Sequence, residues 1–294
     1  MSRLSRPAIG ILIALYSFAA LAQEAVRVTA MNYPAWLVRN YETLPLLAGS
    51  RLQESDLIRT GEGGRVRLQL ADAGEIYLGE SLRFVLESLP ESDSGSSPKY
   101  SFQALRGVFR MTNRLSNAAV PANTIEVRIG AITAAARNAD FWGRSDLKQD
   151  LVCLVEGTLA VDVDGESSVR MNQAFSCYVK PRDQSPLPVD LVDRQQHQLW
   201  LSETELDATA GIAAADGEWQ LVLISLTDSD NAAKVLKSYH ELGFAAQRKT
   251  VVRGGRILHR LLLPGFVSID AALNARARVE EKLGISDAWV WKAN

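Results

Sequence analysis

Alternation of apolar and polar positions with a period of two dominates the first two thirds of the chain. Arg65-Val66-Arg67-Leu68-Gln69-Leu70, led in by Gly61-Glu62-Gly63-Gly64, predicts a half-buried strand. A turn at Asp72-Ala73-Gly74 precedes further runs at Glu75–Leu78 and Leu82–Leu86, and a loop rich in Ser, Gly and Pro covers Glu91–Pro98. Strand-like runs return at Tyr100–Leu105, Gly107–Thr112, Thr124–Ile129, Asp150–Val155, Thr158–Val163 and Ala174–Val179. Many short strands at close spacing predict a mainly-β domain over residues 33–181, built as a sandwich, roll or solenoid.

The rhythm breaks at Pro181, Pro186 and Pro188, and residues 182–217 are expected to form an interdomain connection with a short helix near Glu203–Ala208. Residues 218–294 change period. Trp219–Leu226 is a continuous apolar run suited to a buried strand. Asp228 and Ser229 are helix-cap residues, and Ala232, Val235, Leu236 and Tyr239 follow at helical spacing up to Gly243. Phe244–Val252 and Arg256–Leu263 flank a tight turn at Arg253-Gly254-Gly255. A second helix after Ser268 places Ala271, Ala272, Ala275, Val279 and Leu283 on one face and stops at Gly284, and Ala288–Lys292 closes the unit as a strand. The order βαββαβ predicts a four-stranded antiparallel sheet covered by two helices on one face and open on the other. Trp289 and Trp291 share one face of the last strand; they are expected against the helices, with the open face as the alternative.

Composition sets the compartment. Arg3 and Arg6 precede the uncharged run Ala8–Leu21, and Ala20-Leu21-Ala22 fits a small-residue cleavage site, so residues 1–22 are expected to be a cleaved signal peptide and the mature protein periplasmic. No later stretch is long and apolar enough for an integral membrane segment. A net charge of -2 gives no reason to expect nucleic acid as a partner. Cys153 and Cys177 lie in separate strand-like runs; in an oxidising compartment they either form a cross-strand disulfide or remain two buried thiols.

Candidate chemistry is sparse. His197, His240 and His259 do not cluster at metal-ligand spacing, and neither a His-Glu-x-x-His helix nor a Gly-x-Ser-x-Gly elbow is present. Gly61–Gly64 lacks the Gly-Lys-Ser/Thr ending of a phosphate loop and leads into a strand. Glu280 with Glu281, and Asp162 with Asp164, have no surroundings that would raise a carboxyl pKa. No catalytic residue, metal site or cofactor is therefore expected. The open sheet face is the better candidate, because sugars are held by aromatic faces and polar donors, and Trp219, Tyr239, Phe244, Phe266, Trp289 and Trp291 supply rings.

Leu221-Val222-Leu223-Ile224-Ser225-Leu226, then Asp228, Asn231 and Ala232, followed by His259-Arg260-Leu261-Leu262-Leu263-Pro264-Gly265-Phe266, Ser268 and Ala271, resemble the two halves of a SPOR domain. That resemblance implies an α+β, ferredoxin-like βαββαβ fold and binding of peptidoglycan glycan strands stripped of stem peptides. Ser225, Arg260, Gly265 and Phe266 match the family pattern, whereas Val222 stands where the family usually has Gln and Ile224 where it has Gly. Ser225, Arg256, Arg260 and Phe266 are taken as the glycan-binding candidates.

Residues Trp36–Lys180 resemble a FecR-type domain through Gly49, Asp56, Ile58-Arg59-Thr60-Gly61, Gly64-Arg65, Leu68 and Leu70, and later Gly107-Val108-Phe109-Arg110 and Val155-Glu156-Gly157. The family's Val-Arg-Gly-Thr-Asp-Phe segment corresponds here to Ala136–Trp142. The resemblance implies a β-rich scaffold that binds a partner, such as an envelope or divisome protein, and performs no catalysis. Together the two halves imply a cell-envelope protein tethered to peptidoglycan. The competing expectations are a peptidoglycan-processing enzyme targeted by its SPOR-like arm and an adaptor with a degenerate SPOR fold.

Overall fold

The computed structural model describes residues 26–71, 74–90, 99–113 and 124–293. The expected signal peptide, the loop Glu91–Pro98 and Asp72-Ala73 of the expected turn lie outside them.

The N-terminal half is mainly β and built around three long strands, Lys99–Thr112, Ile132–Ser145 and Gln149–Val163. Lys99–Thr112 pairs through its first half with Arg83–Ser88 and, in parallel, with Thr124–Ile129; its second half pairs with Gly74–Leu78 and with the end of Ile132–Ser145. Ile132–Ser145 and Gln149–Val163 run beside each other along their length, and their register shifts between Ala136 and Ala139. A bulge of this kind bends the strands into a corner. Gly157 sits at this corner with φ of 93°, and a side chain there would collide with the Asn138 carbonyl. The buried faces of these strands meet in one core, in which the Phe84 and Phe109 rings lie 5.7 Å apart.

Lys99–Thr112 and Gln149–Val163 are each one continuous strand where the sequence pattern predicts two shorter runs. Strands Val26–Asn32, Ala35–Arg39, Leu57–Thr60 and Ile132–Ser145 are present as well, outside the runs that the sequence pattern predicts.

The connection is folded. Helix α1 spans Arg194–Ser202, earlier than the expected Glu203–Ala208, because Asp193 accepts from the Gln195 amide and caps it there. It packs on the outer face of one sheet, where Trp200 stacks on Trp142 at 5.2 Å, over a small core of Val108, Trp142, Leu151, Cys153 and Cys177. Cys153 and Cys177 are register partners on Gln149–Val163 and Ser176–Pro181 and form a disulfide.

The C-terminal unit has the expected order. Strands Gln247–Arg253, Arg256–Phe266, Trp219–Leu226 and Trp289–Lys292 lie side by side, all antiparallel. Helix α2, Ser229–Glu241, begins where Asp228 accepts from the Asn231 amide; helix α3, Ile269–Leu283, begins where Ser268 accepts from the Ala271 amide and ends at left-handed Gly284. Ala232, Tyr239, Ala272, Ala275 and Val279 of the helices share a core with Leu221, Leu261, Leu263 and Phe266 of the sheet.

The two halves are joined through backbone and side chains. Ala213-Ala214 pairs with Val26–Asn32 on one side and with Phe266 on the other. Tyr33 stacks on Phe244 at 5.9 Å, Trp36 donates to the Glu241 carbonyl, and Lys282 meets Glu62 at 2.7 Å. These contacts run to the helix side of the C-terminal unit.

Candidate functional site

The sheet face turned away from α2 and α3 is set by strand alternation. Leu221 opposes Leu263 and Val290 on the helix side, so the next pairs, Val222 with Leu262 and Val222 with Trp289, belong to the other face. Val222 and Leu262 are buried and form its floor. Around them the register places Gln220 beside Trp291, Ser225 beside Arg260, and Lys249 on the far side of Arg260. The guanidinium of Arg260 lies over both indoles, 5.9 Å from the centroid of Trp289 and 5.7 Å from that of Trp291. Trp289 is 36% and Trp291 46% exposed, so two ring surfaces remain open with a cation held against them.

This placement corrects the expectation that the two tryptophans pack against the helices. Val290, between them, is the residue that joins the helix-side core. Only the register of the last strand decides which face it presents, and a four-residue strand does not reveal that register in its sequence.

The four candidates separate. Ser225 and Arg260 are opposite one another on the uncovered face. Arg256 opposes Arg253 at the hairpin end, on the same side but away from the indoles. Phe266 is corrected: it is fully buried, 6.4 Å from Tyr33, and contributes core rather than open surface. Simple alternation from Arg260 would bring it to the open face, but Gly265 at φ of 86° and a register shift between Trp219 and Leu221 turn it inward. The departures Val222 and Ile224 are also placed: Val222 is floor, and Ile224 packs toward the helix-side core. Sequence reasoning did not single out Gln220 or Lys249; their register to Trp291 and Arg260 is a tertiary property.

The ring groups expected to be inert have their own partners. His240 Nε2 is 2.8 Å from the Ala246 carbonyl, and His259 Nδ1 is 3.2 Å from Thr250 Oγ1. His197 is buried edge-on to Phe175; burial lowers its pKa below the ordinary imidazole value, Asp140 opposes that and Arg110 adds to it. Arg110 and Asp140 are joined by two hydrogen bonds of 2.9 and 2.7 Å. No group of three or more His, Cys, Asp or Glu residues able to hold a metal occurs among the described residues, and no helix among them is long and apolar enough to cross a membrane.

What the uncovered face defines is a module of aromatic, amide, hydroxyl and guanidinium groups on a rigid sheet. The SPOR domain model matches residues 215–292, and this segment is a SPOR domain, a peptidoglycan-binding module. No curated protein matches the chain. Two crystal structures of a proposed anti-sigma factor from Parabacteroides distasonis align at a TM-score of 0.40 each. One, 12% identical, covers 68% of this chain and 96% of its own; the other, 14% identical, covers 81% and 99%.

Proposed function

We propose that the protein is a non-enzymatic component of the periplasmic cell envelope that holds peptidoglycan glycan strands on the uncovered face of its SPOR domain. The observation that carries the proposal is the Arg260 guanidinium seated over Trp289 and Trp291, with Ser225 opposite. Indole faces accept the apolar faces of pyranose rings, and the guanidinium, Ser225 and Gln220 supply the polar contacts that fix a sugar in place. Arg256 extends the contact toward the hairpin end. The N-terminal β half acts in this account as a FecR-like scaffold for an envelope or divisome protein, which would put the tether to use at the division site. Residues 1–22 direct the chain to the periplasm.

The test is pelleting of the full mature protein with purified sacculi, with soluble products analysed in the same tubes. The wild type is expected to pellet and to release no glycan fragments. Arg260→Ala should weaken binding by about 2 kcal/mol, roughly 30-fold, as for a central interface arginine. Pelleting equal to wild type would remove Arg260 from the site, and released fragments would make the protein an enzyme.

A further inference from the structure

The N-terminal half carries a hollow of about 600 Å³ on the solvent side of Thr124–Ile129, Ile132–Ser145, Gln149–Val163 and Val169–Met171. One rung crosses these strands: Glu126 opposes Ala135, Ala135 opposes Ala160, and Ala160 opposes Arg170. Directly opposed residues share a face. Their chain neighbours Ile125, Val127, Ala134, Ala136, Leu159 and Val161 are buried, so the rung faces away from the core. Ala135 and Ala160 form the floor, and neither rises beyond a methyl group; Gly157 adds no side chain. The long side chains of Arg137 and Arg170 stand around this floor. Small residues in the middle of a rung with arginines beside them give a hollow of small-molecule size, which is ordinarily about 300–1,000 Å³.

The lining is cationic and contains no carboxylate. Elsewhere in this half and its connection Arg39, Arg65, Arg110, Arg128, Arg144 and Arg182 each meet an acid. Among the described residues Arg137 and Arg170 meet none. Arg137 Nε instead donates to Thr124 Oγ1 at 3.0 Å, which positions the guanidinium without neutralising it. Glu126, at the end of the rung, is already paired with Lys99 at 2.9 Å, and Asp162 belongs to the rung with Thr133 and does not line the hollow. Thr124, Thr158 and Asn138 supply neutral hydroxyl and amide donors. Arg137 follows Ala135 by two residues and Arg170 lies two strands across from it, so their Cα atoms are about 12 Å apart, within reach of two arginine side chains. One carboxylate is matched by one planar guanidinium, so two unmatched guanidiniums at one hollow call for two negative charges.

We propose that this hollow binds a small ligand with two negative charges on oxygen, a phosphate monoester or a dicarboxylate. Arg137 and Arg170 take the charges, and Thr124, Thr158 and Asn138 hold the remaining oxygens. None of these residues belongs to the SPOR domain, so the site is independent of the glycan reading.

The experiment follows the arginine Nε–H signals of the isotope-labelled full mature protein in nitrogen–proton spectra at pH 7.5 and constant ionic strength. Glycerol 1-phosphate, glutarate and acetate are titrated separately; at this pH the phosphate monoester carries close to two charges. Arg137→Gln/Arg170→Gln identifies the two signals by their loss, and because both side chains are exposed its melting temperature should be unchanged. At least one of the two dianions should shift the Arg137 and Arg170 signals saturably and bind about tenfold or more tightly than acetate. The better dianion shows whether the two charges sit on one group or on two. The double variant should bind that dianion about tenfold or more weakly, whereas Arg253→Gln/Arg256→Gln, which removes the same charge from the other half, should bind as wild type does. Absence of saturable shifts with both dianions, acetate binding as well as they do, undiminished binding by the first variant, or an equal loss in the second overturns the proposal.

Discussion

At the scale of single residues, side chains of like chemistry were sorted by the direction their backbone gives them. Arg260 was legible in the sequence because it sits in the run His259–Leu263, whose neighbours match a family pattern. Phe266 belongs to the same family pattern, yet the left-handed Gly265 beside it turns its ring into the core. His197 shows what sequence could not give: a lone imidazole among polar residues that is buried in the structure. Its neutral form is favoured by burial, so its folded pKa lies below the ordinary value of 6.5. A depressed imidazole pKa means that its contribution to stability is complete above pH 6.5 and is lost as pH falls from there through the folded value. Urea denaturation at pH 7.5 and at pH 5 should show lower stability at pH 5, and His197→Gln should reduce that difference. Equal pH dependence in the two proteins would show that His197 does not titrate in a buried setting.

At the scale of elements, helices α2 and α3 were the most legible, since Asp228, Ser268 and Gly284 mark their ends in the sequence. The long strand Ile132–Ser145 was hidden by its alanines. Ala134, Ala136 and Ala139 have weak strand preference, yet all three are buried in the core. The paired strands Gln149–Val163 and Ser176–Pro181 were legible, but their register was not, so the sequence left the state of Cys153 and Cys177 open. A disulfide that closes a separation of 24 residues should stabilise the fold by about 3 kcal/mol through loss of unfolded-state entropy. The Cys153→Ser/Cys177→Ser variant is expected to unfold at lower denaturant with that loss. Identical midpoints with and without reductant would show that the bridge contributes nothing.

At the scale of the whole molecule, residues 182–217 have the composition of a linker, and nothing in the local pattern marks Ala213-Ala214 as the bridge between the two halves. Apolar contacts such as Tyr33 with Phe244 join segments about two hundred positions apart, a separation that local patterns do not report. One core cluster runs through both halves. The intact protein should therefore melt in a single transition, and Tyr33→Ala should lower its unfolding free energy by about 3 kcal/mol as a truncated buried aromatic. Two separate transitions, or no change in the variant, would show that the halves fold independently.

The arrangement leaves the aromatic face of the SPOR domain directed away from its partner half. Of the six tryptophans, Trp36, Trp142 and Trp200 lie in the N-terminal half and its connection, Trp219 packs toward the helix-side core, and Trp289 and Trp291 lie on the uncovered face. Each indole N–H gives its own resonance in a nitrogen–proton correlation spectrum. Addition of peptide-free peptidoglycan oligosaccharide should move the Trp289 and Trp291 signals in a saturable way and leave those of Trp36, Trp142 and Trp200 in place. Shifts confined to the N-terminal indoles, or none at saturating glycan, would contradict the account.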